Sequence, residues 1–460
     1  MNNKEVQANF DRVVNSETEA LMGICFECVC GETHNVPIRH LSIEEGAVRR
    51  VGPKIEEFGI SGRGVVVCDR KIEGTVVKEV LPSLESQGLG LSVYPVGDGK
   101  KLISPEIRAS EAIAGELSGS AQYLLALGSG VICDLVKHAA TKLDIPYVLL
   151  ATAPSMNGYT SSMAALTDGG IKKTLMVKPA HAVFADIDIL KRAPSRMVQS
   201  GLGDIVSKSI CNADWKLSQL VKRTFFCPLP FRITDKSEHR YLEAAEEIGR
   251  RSADGIRILT DGIMRSGLSM TIIGTSTPSS GAEHFLSHYW DLEALKEGKP
   301  KHFHGTQVGV ATLIVLDLYE WIRNFPIKKL NSSDLRKHYP NREDAEGLIE
   351  SRFGRYAEGI KQQFFPKYLP WEQKKEEIEF IIENWDSLWE ELEPYIRKKN
   401  PVQRALKSSG APVSYKELGK TRDEAVNALL YARFIRGRYT ILDLLADLGI
   451  LEEASRAVIR

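Results

Sequence analysis

The feature that most constrains this fold is an alternation confined to the first two fifths of the chain: short apolar runs, each followed by helical periodicity. Val65-Val66-Val67-Cys68 has the composition of a buried strand and leads into a helical stretch around 76–87. Residues 91–95 form a second strand pattern. A third, 123–127, runs into Gly128-Ser129-Gly130 and a helical pattern over 131–143. A fourth, 147–151, runs into residues 152–157. Strands and helices at this spacing imply βαβ units and a mainly parallel sheet, because parallel neighbours need a crossover connection. Between Met163 and Asp186 the rhythm changes: 164–167, the turn Asp168-Gly169-Gly170 and 173–177 predict a hairpin, and 181–186 a further strand. From about Leu190 the pattern is helical, over 204–220, 240–266, 282–297, 306–322 and 371–397. The expected fold class is therefore an α/β amino-terminal domain, residues 1–190, followed by an all-α carboxy-terminal domain, residues 191–460. The charged run 374–383 carries Ile378, Phe380, Ile381 and Ile382, which predicts a solvated amphipathic helix.

With 460 residues, two or three domains are expected. Lys plus Arg number 60, as do Asp plus Glu, and this zero net charge argues against a nucleic-acid-binding protein while leaving room for a local basic pocket. No stretch approaches the roughly 20 apolar residues a membrane span needs; the best, 311–322, is interrupted by Asp317 and Glu320. The polar start lacks a signal-peptide core, and seven scattered cysteines read as reduced thiols, so a cytoplasmic location is expected.

A strand running into Gly128-Ser129-Gly130 and then a helix suits a phosphate. Small residues let the backbone approach the anion, and the helix start offers N–H groups and a positive dipole end. The spacing is not GxGxxG, and a strand-to-helix turn also uses glycine simply to turn. Thr152 and Ser155 would follow the next strand, on the sheet edge where ligands of open α/β sheets gather. Asp69 ends the first clear strand, placed either to accept from an adenosine ribose or to serve as a turn residue.

The helical half carries a metal-ligand pattern. Four of the ten histidines fall between His284 and His304. His284 and His288 lie four apart and so share a helix face. His304 opens an apolar helix, and Gly201-Leu202-Gly203-Asp204 puts a carboxylate at an expected helix start. Two imidazoles and one carboxylate make a divalent-metal triad with a position left for a substrate oxygen. Asp204 as an N-cap and the histidines as core or surface residues are the competing readings.

Taken together, the blocks Gly128–Lys137, Thr152–Ser161, Gly201–Asp204, Ser280–His288, His304–Gly309 and Arg433–Leu444 resemble the glycerol-1-phosphate dehydrogenases, particularly the longer bacterial type, within the dehydroquinate synthase-like/iron-containing alcohol dehydrogenase superfamily. The resemblance covers roughly residues 20–325 and 405–452. It implies a Rossmann-like amino-terminal domain for the nucleotide and a helical domain for metal and substrate. It implies Asp204, His284 and His304 as ligands of one divalent ion, zinc first, nickel or iron otherwise. Gly128, Ser129, Gly130, Asp134, Thr152, Ser155, Ser161, Lys173 and Asp69 are implied contacts of NAD or NADP. The implied chemistry is reduction of dihydroxyacetone phosphate to sn-glycerol 1-phosphate, a step of phospholipid metabolism, by a homodimer or larger homo-oligomer. His288 is implied as an acid or, preferably, as a residue behind the ligands. Lys208 could face the phosphate, though a solvated helix lysine is the preferred reading.

The chain departs from the family at Asn157, where an aspartate is usual near the substrate; asparagine cannot take a proton or hold a charge. A glycerol or polyol dehydrogenase and a catalytically weakened nucleotide-binding relative are the alternatives this leaves. Cys25, Cys28, Cys30 and His34 have a spacing that could hold zinc, but a structural hairpin with free thiols is the preferred reading. Residues 326–407 match no familiar block and are expected to be an additional helical elaboration.

Overall fold

The computed structural model describes residues 3–337 and 339–460. Among the described residues there are ten strands: β1 (Cys25–Glu27), β2 (Thr33–Asn35), β3 (His40–Glu44), β4 (Gly64–Asp69), β5 (Leu91–Val96), β6 (Tyr123–Gly128), β7 (Tyr147–Ala151), β8 (Met163–Asp168), β9 (Ile171–Met176) and β10 (Ala182–Asp186). Six form one sheet in the order β3-β10-β7-β6-β4-β5, and every pairing in it is parallel. The expected parallel sheet is thus present, and all of its strands except β3 coincide with the apolar runs read from the sequence. Such runs form strands because helices cover both faces of a parallel sheet, so alternate residues have no solvent to meet. β6 and β7 are buried at every position. On one face Val66, Cys68, Leu125, Leu127, Val148, Leu150 and Phe184 pack with Val77, Val80 and Leu84 into a single cluster.

The expected hairpin is β8–β9, closed by Gly169 at φ 55° and Gly170 at φ 88°. Two consecutive positive φ values make the tight primed turn that matches strand twist, and glycine adopts them without strain. A second hairpin, β1–β2, holds the cysteine-rich segment.

Two compact units emerge. The first contains the chain as far as Ile205, then Cys227–Pro278 and Ser408–Gly410. Beside the sheet it holds the helices Ser195–Ile205, Leu229–Glu243 and Ala253–Ile273. The second contains Val206–Phe226, Ser279–Lys407 and Ala411–Arg460, and every regular element among its described residues is helical. Its centre is the helix His304–Arg323, buried on nearly all sides. The described residues of 326–407 form helices, as expected, among them Arg342–Phe353, Trp371–Glu383 and Trp385–Leu392. Within Trp371–Glu383, Ile378 and Ile381 are buried as the amphipathic pattern requires. Lys374 is not solvated, however: it is buried, with ion pairs to Asp447 at 2.7 Å and Glu377 at 2.8 Å that compensate its charge. Among the described residues no helix is long and apolar enough to cross a membrane.

Candidate active site

In the first unit, strand order fixes where a ligand can lie. From β4 the chain crosses outward to β5, then returns to the other side of β4 to form β6. Crossovers that diverge on either side of a strand pair leave a crevice at its carboxyl edge. That edge carries Asp69 at the end of β4 and Gly128 at the end of β6. Ser129 is the N-cap of the helix Gly130–Leu143, yet its side chain makes no capping bond. Both glycines are required for space rather than for φ. A Cβ on Gly128 would come within 2.6 Å of the Ile132 side chain, and one on Gly130 within 2.8 Å of Met156. Asp69 caps the short helix after β4 by accepting from the Lys71 N–H at 2.9 Å.

Asp134, one turn into the helix, is buried, and burial raises its carboxyl above the usual carboxylate range. It accepts from the Ala165 N–H at 3.3 Å and lies 3.4 Å from the Lys137 ammonium. Lys137 in turn donates to the carbonyls of Gly158 and Met163. The Asp134–Lys137 pair therefore fastens the helix to the 158–165 segment. Lys173 lies on β9, half-exposed, and pairs with Asp168 across the hairpin at 2.6 Å.

The segment after β7 is held tightly. The Thr152 N–H donates to the Gly128 carbonyl at 3.1 Å, which joins the two loops. The Ser155 hydroxyl lies 3.3 Å from that of Tyr159, and Ser161 accepts from the Met163 N–H. Asn157 is buried, its backbone N–H donates to Asp204 Oδ2 at 2.8 Å, and its side-chain Nδ2 has no hydrogen-bond partner.

Asp204 is not at a helix start. It lies in the last turn of Ser195–Ile205, which excludes the N-cap reading and sets its charge against the helix dipole. Gly201 and Gly203 suggested a break that is not there, because the helix uses glycine for close approach. A Cβ on Gly201 would lie 1.8 Å from the Pro154 carbonyl oxygen.

In the second unit His284 and His288 lie one turn apart on the helix Ala282–Lys296, with ring centroids 6.2 Å apart. His304 begins the helix His304–Arg323, and its ring centroid is 5.2 Å from that of His284. His304 also stacks on His288, 5.5 Å between centroids at 11°. Glu283 Oε1 lies in hydrogen-bond contact with His284 Nδ1 at 2.7 Å, as acceptor to the ring N–H, and also accepts from the Gly281 N–H. His304 Nδ1 lies 3.1 Å from the Ser287 hydroxyl. With Nδ1 engaged in both rings, Nε2 is the nitrogen each would present to an ion, the arrangement metal-binding histidines show. The helix start is fixed from below by Asp214, which accepts from Ala282, Ile441 and Tyr319. Its burial, with the charge of Glu283, pushes its carboxyl up to about 7.

One cation, Arg436, reaches these histidines and two more, Arg438 and Lys208, lie in the same unit; the sequence did not group the three. Arg436 Nε donates to His288 Nδ1 at 3.4 Å. Arg438 donates to the Ser280 hydroxyl at 2.8 Å. Lys208 is 3% exposed, against the expected solvated lysine, and lies 3.9 Å from the Cys211 sulfur. Burial holds both guanidinium groups below their ordinary range, Arg436 at about 10. The signal for the arginines was present in the Arg433–Leu444 block, but nothing in their spacing tied them to histidines 148 residues away.

Residues 42–194 match the family model described as iron-containing alcohol dehydrogenase. The chain is 33% identical to the glycerol-1-phosphate dehydrogenase (NAD(P)+) of Halalkalibacterium halodurans over 65% of its own length and 75% of that protein. It is 28% identical to the Bacillus licheniformis protein of the same name, over 92% of this chain and 93% of the relative. Among solved structures, an alcohol dehydrogenase from Oenococcus oeni superimposes with a TM-score of 0.58 at 14% identity, covering 91% of this chain and 98% of that one. At that identity the likeness is one of fold.

Proposed function

We propose that this chain, which belongs to the glycerol-1-phosphate dehydrogenase family, reduces dihydroxyacetone phosphate to sn-glycerol 1-phosphate with NADH or NADPH, reversibly and with a divalent ion. The observation that carries the substrate choice is the set of buried or half-buried cations in the second unit: Arg436 on His288, Arg438 on Ser280 and Lys208 beside Cys211. A polyol dehydrogenase acts on an uncharged substrate and has no use for three half-buried or buried cations. A phosphate ester needs them, and planar guanidinium groups suit its oxygens.

Asp204, His284 and His304 would hold the ion. Two imidazoles with fixed Nδ1 and one carboxylate suit zinc, with nickel and iron as alternatives. The Gly128–Gly130 turn and the helix start behind it would cradle the cofactor pyrophosphate, with Asp69 toward the adenosine ribose. Thr152, Ser155, Ser161, Asp134 and Lys173 complete the proposed cofactor side. When bound, the ion would polarise the ketone oxygen and the cofactor would supply the hydride. Arg436, Arg438 and Lys208 bind and orient the phosphate. His288 accepts a guanidinium hydrogen at Nδ1, so its proton is held at Nε2, and it positions Arg436. Asn157 offers its Nδ2–H to a substrate oxygen and holds Asp204 through its backbone.

The test is NADH and NADPH oxidation with dihydroxyacetone phosphate and, separately, with dihydroxyacetone, using protein stripped of metal and reloaded with zinc, nickel or iron. Metal-restored turnover that is lost in His284→Ala and that favours the phosphorylated ketone supports the reading. Equal kcat/KM on both ketones would transfer it to the polyol dehydrogenases. Asn157 is the observation that favours a catalytically weakened relative; absence of turnover with every metal until Asn157→Asp is introduced would establish that reading instead.

A further inference from the structure

We propose that Cys28, Cys30, His34 and Cys227 form a closed, structural zinc site in the first unit, independent of the reading of the active site. The four side chains come together although Cys227 is 199 residues from Cys28. Their ligand atoms all lie within 4.8 Å of one another. Cys28 Sγ is 3.7 Å from Cys227 Sγ, Cys227 Sγ is 3.6 Å from His34 Nε2, and Cys30 Sγ is 3.3 Å from the same nitrogen. A tetrahedral zinc ion with bonds of about 2.3 Å to sulfur and about 2.05 Å to nitrogen sets S···S edges of about 3.8 Å and S···N edges of about 3.6 Å. Two of these three edges match those dimensions to about 0.1 Å, the third is shorter, and every remaining edge lies within 4.8 Å.

Local structure explains how the quartet is presented. β1 and β2 pair with Phe26 opposite His34, and the turn between them is closed by bonds Cys28 N–H to Glu32 and Gly31 N–H to the Cys28 carbonyl. Gly31 has φ +89°, so this tight turn requires a residue without a Cβ. The turn places Cys28 and Cys30 at the tip and His34 on the returning strand, its ring held edge-on by Phe26 at 5.8 Å. Strand alternation sends Cys25 to the opposite, exposed face. Cys28, His34 and Cys227 are buried and Cys30 is half-buried.

Soft thiolates with one imidazole nitrogen select zinc over the oxygen-seeking cations, and four protein ligands leave no position for a substrate. Binding is balanced by release of the three thiol protons, with neutral His34 donating its Nε2 lone pair. The ion would staple the hairpin to Cys227, the residue at which the chain returns to the first unit after Val206–Phe226.

The experiment measures metal in the full-length His284→Ala/His304→Ala protein, purified with reductant and without added metal, so that the proposed catalytic ion is absent. The expected result is about one zinc per chain, held against EDTA and released by a mercurial thiol reagent. Adding Cys25→Ser should leave that zinc in place, and adding Cys227→Ser should remove it. Should Cys227→Ser fail to fold, zinc-edge X-ray absorption on the parent double variant decides: three sulfur neighbours and one nitrogen support the site. Zinc below about a fifth of an equivalent, a shell of nitrogen and oxygen only, or a Cys28–Cys227 disulfide in the intact mass overturns it.

Discussion

Glu283→Gln isolates what holding one histidine ring contributes to metal binding. Glu283 is fully buried; its Oε1 meets His284 Nδ1 at 2.7 Å and also accepts from the Gly281 N–H at 2.8 Å. Glutamine keeps the shape and a carbonyl acceptor, so the helix start persists, but the bond to the ring loses its ionised acceptor. Charge-assisted hydrogen bonds are about twice as strong as neutral ones. Removing the outer partner of a metal-bound histidine costs about 10- to 100-fold in metal affinity, or about 1.4–2.8 kcal/mol. The assay is competition with a graded series of chelators, following only the ion that His284→Ala eliminates. The expected outcome is a weakening within that range, a parallel loss of turnover at limiting metal and recovery at excess metal. The melting temperature of the metal-free protein should change little. Unaltered affinity would refute the argument, because His284 would then not be a ligand or its ring would not depend on Glu283.

Arg438→Ala should raise KM for dihydroxyacetone phosphate about 10- to 100-fold, the loss of one charge-assisted bond, while leaving KM for dihydroxyacetone alone; equal effects on both ketones would remove Arg438 from the phosphate site. Gly201→Ala drives a Cβ into the Pro154 carbonyl and should destabilise the first unit by about 2 kcal/mol or more, measured by denaturant unfolding. Gly347→Ala, in an exposed stretch of helix with nothing within 4 Å, should stabilise by about 0.5–1 kcal/mol. Burial, reinforced by nearby Lys and Arg, holds His40, His138 and His181 below the usual imidazole range. As pH falls below 6.5 the unfolded chain takes up protons before the folded one, so stability present above 6.5 is lost below it. Melting at pH 5 should therefore come earlier than at pH 7.5, and His181→Gln should reduce the difference; a flat profile would refute the assignment.

Much of the α/β architecture was legible because its strands are buried on both faces. Runs such as residues 123–127 and 147–151 have no polar register to confuse them. β3, His-Leu-Ser-Ile-Glu, escaped notice because an edge strand with polar ends looks like loop. Gly201 and Gly203 misled in the opposite way: glycine reads as a breaker, but a glycine pressed against a carbonyl is fixed by tertiary packing that no local window contains. The same limit hid Lys208 and Lys374, which are buried because Ser207 and Cys211, or Asp447 and Glu377, reach them. His284, His288 and His304 were legible because helical spacing and a helix start bring them together within one short stretch.

The cysteine cluster shows why ligand type and ligand position carry different information. The residue kinds near the amino terminus pointed to zinc, but spacing alone gathered Cys25, Cys28, Cys30 and His34, four ligands that one hairpin cannot converge. The strand pleat ejects Cys25, leaving three donors on one side. A three-donor hairpin is incomplete, and its missing ligand need obey no local rule: Cys227 enters 193 residues after His34. Completion by Cys227, the third protein sulfur and the fourth donor, closes the tetrahedron, whereas the two imidazoles and one carboxylate proposed for the active site leave a position for substrate. The difference between a staple and a Lewis acid thus lies in the number of donors the fold delivers, and Cys227→Ser should tell them apart by removing the zinc that survives His284→Ala/His304→Ala.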